Sequence, residues 1–272
     1  MDINFTPTSL DREKYNHVNG VFHLSAQPRG ILEIICVTYN QREELKSFIN
    51  SIKSQTISNW FLRIIHDGNC HKYRTLKKEL EEENYLNEQV TIECTERRYN
   101  DWGHSLRDYA LKNQKKKSDW IIITNGDNYY LPTLTETILT YSAENPKTDF
   151  LYWDFIQRFD KEIHKTARTT YQPINTTLRI GRVDMGAVAI KTDIAIETGF
   201  NSRKFEADWN YIQECLKKIE FNTTKDLKKE WQVFKKITQQ NEEEPPIDFL
   251  EKKESLVANK VLKIPETLFV HV

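Results

Sequence analysis

The feature that most constrains the fold of this chain is a regular alternation of short apolar runs and amphipathic segments between residues 31 and 142. The apolar runs are rich in β-branched residues and are typical of buried strands, whereas the segments after them place apolar residues at helical spacing. Four strand-helix units in succession predict an α/β fold, a single domain with a mostly parallel central sheet and helices on both faces. The predicted strands are residues 31–37, 60–66, 89–94 and 120–124, and the predicted helices are residues 43–55, 72–83, 104–113 and 133–142.

The two ends of the chain outside this alternation have less regular patterns. We expect residues 1–30 to form an irregular lead-in, because prolines and glycines interrupt a polar stretch there. No internal repeat is evident, so we expect the second half to complete the same domain. The sequence predicts strands at residues 149–156 and 187–190, a long connection at 159–180, helices at 206–219 and 225–236, and a loop at 241–246.

The overall charge and the cysteine content exclude several function classes. The 39 Lys and Arg residues balance the 40 Asp and Glu residues, and a net charge of -1 provides no bulk attraction to nucleic acid. The four cysteines form no C-x-x-C pair, which argues against a zinc module and fits a reducing compartment.

No apolar run approaches the roughly 20 residues of a membrane span, and the N-terminus is too polar for a signal peptide. We therefore expect a cytoplasmic protein with no nucleic-acid partner and no transmembrane segment. The lysine-rich helix predicted at residues 225–236 has two interpretations. It makes a peripheral contact with a membrane, or it presents a charged face to solvent.

Polar residues follow each of the four strands predicted in the first half. Because open parallel α/β sheets bind ligands beyond the carboxyl ends of their strands, these positions are the first candidates for a site. One polar loop is ordinary, but four polar strand ends together indicate a binding site. The four ends are Thr38-Tyr39-Asn40, His66-Asp67-Gly68, Glu96-Arg97-Arg98 and Asn125-Gly126-Asp127-Asn128.

The chain lacks the glycine-rich loops with which many α/β proteins bind phosphate. G-x-G-x-x-G does not follow the first strand and G-x-x-x-x-G-K-[ST] is missing, which excludes the common dinucleotide-binding and P-loop classes. A diphosphate bound here would need its charge neutralised in another way, most simply by a divalent cation held on a carboxylate. Asp127 is the natural candidate, because it stands at the mouth of an apolar strand where an unpaired charge is costly.

Several short motifs, in order along the chain, resemble those of one enzyme family. Residues 35–40 and 64–68, Ile-Cys-Val-Thr-Tyr-Asn and Ile-Ile-His-Asp-Gly, look like the opening of the family 2 glycosyltransferases of the GT-A fold. Residues 125–128 are similar to the D-x-D motif of that family, which binds the metal and the nucleotide sugar. Residues 103–111 resemble the helix start that precedes this motif. Residues 199–209 resemble the acceptor-side acidic motif, and residues 264–271 resemble the C-terminal strand that bears a metal-ligand histidine.

The resemblance covers residues 31–220 well and the tail more weakly. It implies a GT-A (Rossmann-like) single domain, with a nucleotide-sugar-binding half at residues 31–160. Residues 161–272 would form the acceptor-binding half and the C-terminal metal-ligand strand. The implied reaction moves a hexose from a UDP-sugar to a glycan hydroxyl, with inversion, aided by Mn²⁺ or Mg²⁺.

The implied donor site combines a nucleotide pocket with a metal. Asp127 and His271 would bind the cation, and Asp67 would accept a hydrogen bond from the imide N–H of uracil. On spacing alone, Asp67 could equally be an Asp-Gly turn residue, Arg107 an ordinary surface arginine and His271 part of a frayed terminus. Asn125 stands where the family has an aspartate and brings no charge, so metal affinity or metal dependence would be reduced. The implied donor-binding residues are Thr38, Tyr39, Asn40, Asp67, Arg98, Arg107, Asn125, Gly126 and Asp127, with Arg97 a weaker candidate.

The implied acceptor site supplies a base for the acceptor hydroxyl. Asp208 is the candidate general base, and Glu206 is an alternative or a positioning partner. Without the resemblance, acidic residues at this position would be interpreted as helix caps, which the helix dipole favours. The residues expected to face the acceptor or the sugar are Trp153, Asp154, Asp184, Gly186 and Trp209.

Two other function classes compete with the glycosyltransferase interpretation. Sugar-phosphate nucleotidyltransferases share a similar α/β core, but they need a glycine-rich turn with Arg and Lys after the first strand. Residues 38–42, Thr-Tyr-Asn-Gln-Arg, lack that turn. A catalytically silent nucleotide- or glycan-binding module of the same fold also competes, because Asn125 replaces an acid.

Overall fold

The computed structural model describes residues 17–18, 21–22, 27–114, 117–163, 166–204, 206–238 and 247–271. Two short strands, β1 (His17–Val18) and β2 (Val21–Phe22), pair antiparallel within the stretch expected to be irregular. The rest of residues 1–26 and the predicted loop at 241–246 lie outside the described residues.

The predicted alternation of strands and helices in the first half is confirmed. Each predicted element is present, with ends displaced by a few residues, and the two-residue strand β7 (Tyr129–Tyr130) is added after the fourth strand. The elements are β3 (Leu32–Thr38), α1 (Glu43–Lys53), β4 (Trp60–His66), α2 (His71–Glu82), β5 (Val90–Cys94), α3 (His104–Lys112), β6 (Trp120–Asn125) and α4 (Leu134–Glu144).

Four strands of the first half form the parallel part of the sheet. The order is β5-β4-β3-β6, and β3 pairs in parallel with both β4 and β6. Their carboxyl ends therefore meet at one edge, as the sequence predicts. The sheet continues from β6 through β10 (Val188–Lys191), β8 (Phe150–Ile163) and β11 (Val261–His271) to β7, and β10 runs antiparallel to both of its neighbours.

The long connection predicted at residues 159–180 is wrong. β8 continues to Ile163 and returns as β9 (Thr166–Ile174), which pairs antiparallel with residues 155–163 of β8. The segment mixes polar residues with β-branched threonines instead of presenting an apolar run. Antiparallel strands with one face in solvent form from such sequences, because they need to bury only one side.

The helices of the second half also differ from the expectation. The helices predicted at residues 206–219 and 225–236 are one helix, α6 (Ala207–Thr238). Between the two predicted segments, Thr223 and Thr224 donate their hydroxyl hydrogens to the carbonyls of Ile219 and Glu220, one turn earlier, and the helix continues through them. The structure adds α5 (Thr192–Thr198) and α7 (Ile247–Ala258), which the sequence analysis did not predict.

Two apolar clusters cover the two faces of the sheet, which confirms helices on both sides. In β3, Leu32, Ile34 and Cys36 pack into one cluster, whereas Ile35 and Val37 pack into the other, since successive side chains point to opposite faces. The first cluster takes its helical residues from α1, α2 and α4, and the second takes them from α3, α5 and α6.

Helix α6 has 32 residues, which is long enough to cross a bilayer. Its sequence is too polar for that environment, and across the described part of the chain no helix combines the length and the apolar character of a membrane span.

Candidate active site

A cleft of about 380 Å³ opens beyond the carboxyl ends of β3, β4 and β6. The strand ends converge there because the three strands are adjacent and parallel. Most of the residues expected to bind a donor line this cleft, although the sequence placed them in four separate segments. They are Thr38, Tyr39, Asn40, Asp67, Arg98 and Asn125.

Asp127 lies beside the cleft, in the turn after β6. Gln41, which lines the cleft, donates from Nε2 to Asp127 Oδ2 at 2.7 Å and accepts at Oε1 from the Thr38 hydroxyl at 3.1 Å. The other carboxylate oxygen, Oδ1 of Asp127, is buried and has no hydrogen-bond partner among the described residues. Burial raises the pKa of Asp127, and the charge of nearby His271 partly offsets that effect. A buried carboxylate oxygen without a hydrogen-bond partner, such as Oδ1 of Asp127, is a suitable ligand for a cation.

His271, at the end of β11, is close to both Asp127 and Asp184. Its Nδ1 atom lies 2.7 Å from Gln157 Oε1 and 3.7 Å from Asp184 Oδ2. Burial raises the pKa of Asp184, and the charge of His271 acts against that rise. Within the described ranges, no three His, Cys, Asp or Glu side chains are grouped so that they could hold a metal. The buried Oδ1 atom of Asp127, which has no hydrogen-bond partner among the described residues, fits a cation, whereas the assignment of His271 as a second metal ligand stays a prediction.

Gly126 makes the turn between β6 and Asp127 compact. A Cβ atom added there would lie 3.0 Å from Leu45 Cδ1 and 3.4 Å from the Thr38 hydroxyl. The absence of a side chain thus lets the end of β6 approach β3 and α1, which keeps Asn125 and Asp127 beside the first strand end.

Arg107 is buried in α3, 3% exposed, and is not the surface residue that its sequence context favoured. Its Nη2 atom donates to Asn125 Oδ1 at 3.0 Å, and its Nη1 atom donates to Asp208 Oδ1 at 3.2 Å. Nη1 also lies 3.0 Å from His104 Nδ1. Arg107 is not among the residues that line the cleft, and two nitrogens of its guanidinium bind protein groups, so its predicted role as a fixed cation for phosphate stays a prediction.

His104 is the third partner of Arg107. Because the arginine is always a donor, His104 Nδ1 must accept, and the imidazole is then neutral with its proton on Nε2. Burial lowers the pKa of His104, and the charge of Arg107 lowers it further. The His104 ring stacks on Phe200, with ring centroids 5.7 Å apart.

Asp208 and Glu206 lie at the start of α6. Asp208 is in the first turn of the helix, and its side chain is 39% exposed while Oδ1 accepts from Arg107. Glu206 precedes the helix and is exposed. Asp208 is thus both accessible and oriented by a buried cation, whereas Glu206 is exposed just outside the helix.

The carboxylate of Asp67 binds backbone. Its two oxygens accept from Tyr99 N at 2.7 Å and Asn100 N at 2.9 Å, which ties the loop before α3 to the end of β4. Asp67 also lines the cleft, so remaining lone pairs can reach a ligand there. The turn interpretation and the ligand interpretation of Asp67 are therefore compatible.

Cations surround the Tyr39 ring. The guanidinium carbon of Arg98 lies 3.7 Å from the ring centroid, and the Lys72 ammonium lies 5.0 Å from it. Arg97 instead lies over Tyr99, with 5.1 Å between its guanidinium carbon and the ring centroid. Arg98 is the arginine of this pair that lines the cleft.

The residues expected to face the acceptor or the sugar are mostly used inside the fold. Trp153 is 0% exposed in the first core cluster, which corrects its assignment to a sugar pocket. Asp154 pairs with Lys263 at 2.6 Å. Trp209 is partly buried and packs on the second cluster.

Asp184 and Gly186 have structural contacts in the same short turn. Asp184 Oδ1 accepts from Gly186 N at 2.7 Å and starts the 3-10 turn Met185–Ala187. Gly186 is buried, and a Cβ atom there would lie 2.6 Å from Phe269 Cζ, which explains the glycine by packing.

Six residues that line the cleft were not among the predicted site residues, and three of these six have polar or aromatic side chains. They are Gln41, Asn100 and Trp102. Gln41 follows the first polar strand end, and the other two precede Gly103 before a predicted helix, so proximity to a strand end or to a glycine turn was the available signal.

Comparison with protein families gives one model that matches most of the chain. The model described as Glycosyl transferase family 2 matches residues 33–212. A curated relative from Haemophilus influenzae, described as an uncharacterized glycosyltransferase, is 25% identical over 204 residues. That match covers 72% of this chain and 65% of the relative, so the chain spans just under two thirds of its length.

Solved structures with similar folds include S. aureus TarS. The TarS structure superposes with a TM-score of 0.57 at 12% identity, over 89% of this chain and 36% of TarS. TarS 1-349 in complex with UDP-GlcNAc gives a TM-score of 0.52 at 14% identity, over 68% of this chain and 53% of that one. This likeness shows a shared fold, which agrees with the predicted single α/β domain.

Proposed function

Because this chain belongs to glycosyltransferase family 2, we propose that it transfers a hexose from a UDP-sugar to a hydroxyl group of a glycan, with inversion at the sugar. Residues 31–160 would bind the donor, and residues 161–272 would complete the acceptor side. The proposal rests on one observation, the cleft at the ends of β3, β4 and β6 with the unpartnered oxygen of Asp127 beside it.

The choice of a uridine nucleotide is supported by the residues of the cleft and by the fold. Asp67 retains acceptor capacity beside the cleft, which suits the imide N–H of uracil. TarS 1-349, which shares the fold, is described in complex with UDP and with UDP-GlcNAc. Arg98 is the exposed cation at the cleft that could meet a phosphate oxygen.

Asp127 and His271 would hold Mn²⁺ or Mg²⁺ in this proposal. The bound cation would supply positive charge that stabilises the diphosphate as it leaves. Asn125 is neutral, and its Oδ1 atom already accepts a hydrogen bond from Arg107. The protein therefore contributes fewer anionic ligands than a pair of aspartates would. We therefore expect weak, diphosphate-dependent metal binding.

Asp208 would act as the general base. It would take the proton of the acceptor hydroxyl as the new C–O bond forms at the anomeric carbon and the bond to UDP breaks, leaving the electron pair on UDP. Arg107 would orient this carboxylate, since the two groups are 3.2 Å apart. Glu206, exposed just before the helix, is the alternative base.

A second candidate is a catalytically silent nucleotide-binding module of the same family. It is favoured by the neutral Asn125 and by the lack, within the described residues, of a three-ligand metal cluster. The two candidates differ in turnover: the enzyme releases UDP from a UDP-sugar, whereas the silent module binds UDP without cleaving the sugar.

Release of UDP from pooled UDP-sugars with Mn²⁺ and a pool of glycan acceptors tests the proposal. Wild type should release UDP, and Asp208→Asn should bind UDP normally while its turnover falls about 10²-fold or more. Glu206→Gln is the matched control and should retain turnover. Binding of UDP without release by wild type would favour the silent module, and equal losses in both variants would remove Asp208 as the specific base.

A further inference from the structure

The loop before α3 places an exposed tryptophan at the rim of the cleft. Trp102 lines the cleft and is 77% exposed, although folding normally buries most of a tryptophan side chain. Its neighbour His104 is the aromatic group in contact with it, with ring centroids 6.3 Å apart. Most of the indole surface is therefore available to a ligand.

The backbone of this loop is strained at the tryptophan. Trp102 has a φ of +55° and Asn100 a φ of +54°, in the left-handed region that bulky residues rarely adopt. Asparagine tolerates this region, but tryptophan has no side-chain hydrogen bond that compensates for it. Such strain persists where the surroundings impose it, and it concentrates at ligand-binding positions.

Contacts on both sides impose this conformation. Asp67 binds the amide hydrogens of Tyr99 and Asn100, and Asp101 Oδ2 accepts from Ser105 N at 3.0 Å at the start of α3. Arg107 Nη1 lies 3.4 Å from the Trp102 carbonyl oxygen. The loop is anchored before and after Trp102, so the side chain is presented to the cleft without needing to rearrange on binding.

The other aromatic residue of the cleft is already engaged. Among the described residues that line it, Tyr39 and Trp102 are the aromatic ones, and Tyr39 has the cations of Arg98 and Lys72 over its ring. The exposed aromatic surface of the cleft thus belongs to Trp102, on the same loop that Asp67 ties to β4.

We propose that the indole of Trp102 stacks on the base of the bound nucleotide, and that Asp67 positions the loop for this contact. The inference deepens the proposed function and depends on it for the identity of the nucleotide. Stacking of a base on an aromatic side chain commonly contributes a factor of about 10 or more to affinity. The sequence alone gives this tryptophan no role, because it lies outside the motifs that resemble the family.

Isothermal titration with UDP tests the proposal on the full chain. Trp102→Asn removes the ring and introduces a residue that tolerates the left-handed conformation, so UDP affinity should fall about 10-fold while the melting temperature stays equal or rises. Trp102→Phe should keep affinity within about 3-fold, since a ring remains. Phe221→Ala is the matched control, because Phe221 is 62% exposed on α6 and should leave UDP affinity unchanged.

The results of the titration distinguish a failure of the stacking inference from a failure of the proposed uridine donor. Wild-type binding of UDP with equal affinity in Trp102→Asn would overturn the stacking and leave the donor assignment standing. A loss in Trp102→Asn for UDP-GlcNAc but not for UDP would show contact with the sugar ring and overturn the contact with the base. If wild type binds UDP neither with nor without Mn²⁺, the uridine donor and the stacking are both wrong.

Discussion

Arg107 Nη1 lies 3.2 Å from Asp208 Oδ1, although the two residues are 101 positions apart in the chain. The same guanidinium binds Asn125 Oδ1 at the end of β6, so one buried cation joins the donor side of the site to the candidate base. Because Asn125 is neutral, Asp208 is the carboxylate among these partners that balances the arginine. An aspartate at position 125 would compete for the same charge.

Replacing Arg107 with lysine should reduce turnover more than substrate affinity. A lysine is a point charge and cannot bond Asn125 and Asp208 with the fixed geometry of a guanidinium, so the base would lose its orientation. We expect kcat to fall about 10- to 100-fold and the KM for the UDP-sugar to change less than about 3-fold. Steady-state UDP release measures both constants. Arg74→Lys, on the exposed face of α2, is the control, and an unchanged kcat in Arg107→Lys would contradict the positioning role.

Replacing Asp127 with asparagine should have opposite effects on stability and on metal response. Burial disfavours the charge of Asp127 in the metal-free protein, so removing it should raise the free energy of unfolding by about 1 kcal/mol. The same change should abolish any gain in UDP affinity from Mn²⁺. Denaturant titration and calorimetry measure the two effects. Asp149→Asn is the matched control, because Asp149 is also half-buried but pairs with Lys260 at 3.0 Å; a variant at position 127 that still responds to Mn²⁺ would remove it from the metal site.

A methyl group at Gly186 should destabilise the fold by about 1–3 kcal/mol through overpacking. The added Cβ would lie 2.6 Å from Phe269 Cζ and 3.0 Å from the Tyr130 hydroxyl, both in the core. Gly181→Ala is the comparison. Its Cβ would meet no described atom within 4 Å, so the expected cost of about 1 kcal/mol comes from its φ of +71° alone. Urea denaturation compares the two free energies of unfolding. Equal costs would mean that β11 shifts easily and that Gly186 is not needed for packing.

Replacing Glu266 with glutamine should make the protein more stable at neutral pH. Burial raises the pKa of Glu266 above its ordinary value of 4.5, so the folded state holds this proton more tightly than the unfolded state does. The contribution of Glu266 to the free energy of unfolding of the wild type therefore falls as pH rises from about 4.5 through the folded pKa, and then levels off. The gain in Glu266→Gln should be largest at neutral pH and vanish near pH 4, in denaturant titrations across that range. A gain of the same size at every pH would show that the charge is not its cause.

The sequence predicted the first half of the fold well because local periodicity reports local burial. The runs around Ile35, Ile64 and Ile122 are strands, and the amphipathic segments between them are helices. The second half was predicted less well. In the hairpin of β8 and β9, residues 156–159 are only partly buried and residues 169–173 are exposed, and α6 continues through Thr223 and Thr224, whose hydroxyls bind carbonyls of the same helix. In both places the deciding interactions are backbone pairing and local hydrogen bonds, which hydropathy does not record.

The sequence by itself determined that polar residues meet at the carboxyl edge of a parallel sheet, since strand direction follows from the strand-helix alternation. It could not determine which of those residues face the cleft. Arg107 binds Asp208 and Trp153 enters the core because of the sheet order and the approach of α6 to α3, and Trp102 reaches the rim because Asp67 anchors its loop. Contacts between distant segments depend on how packed elements approach one another, and only the tertiary structure contains that information.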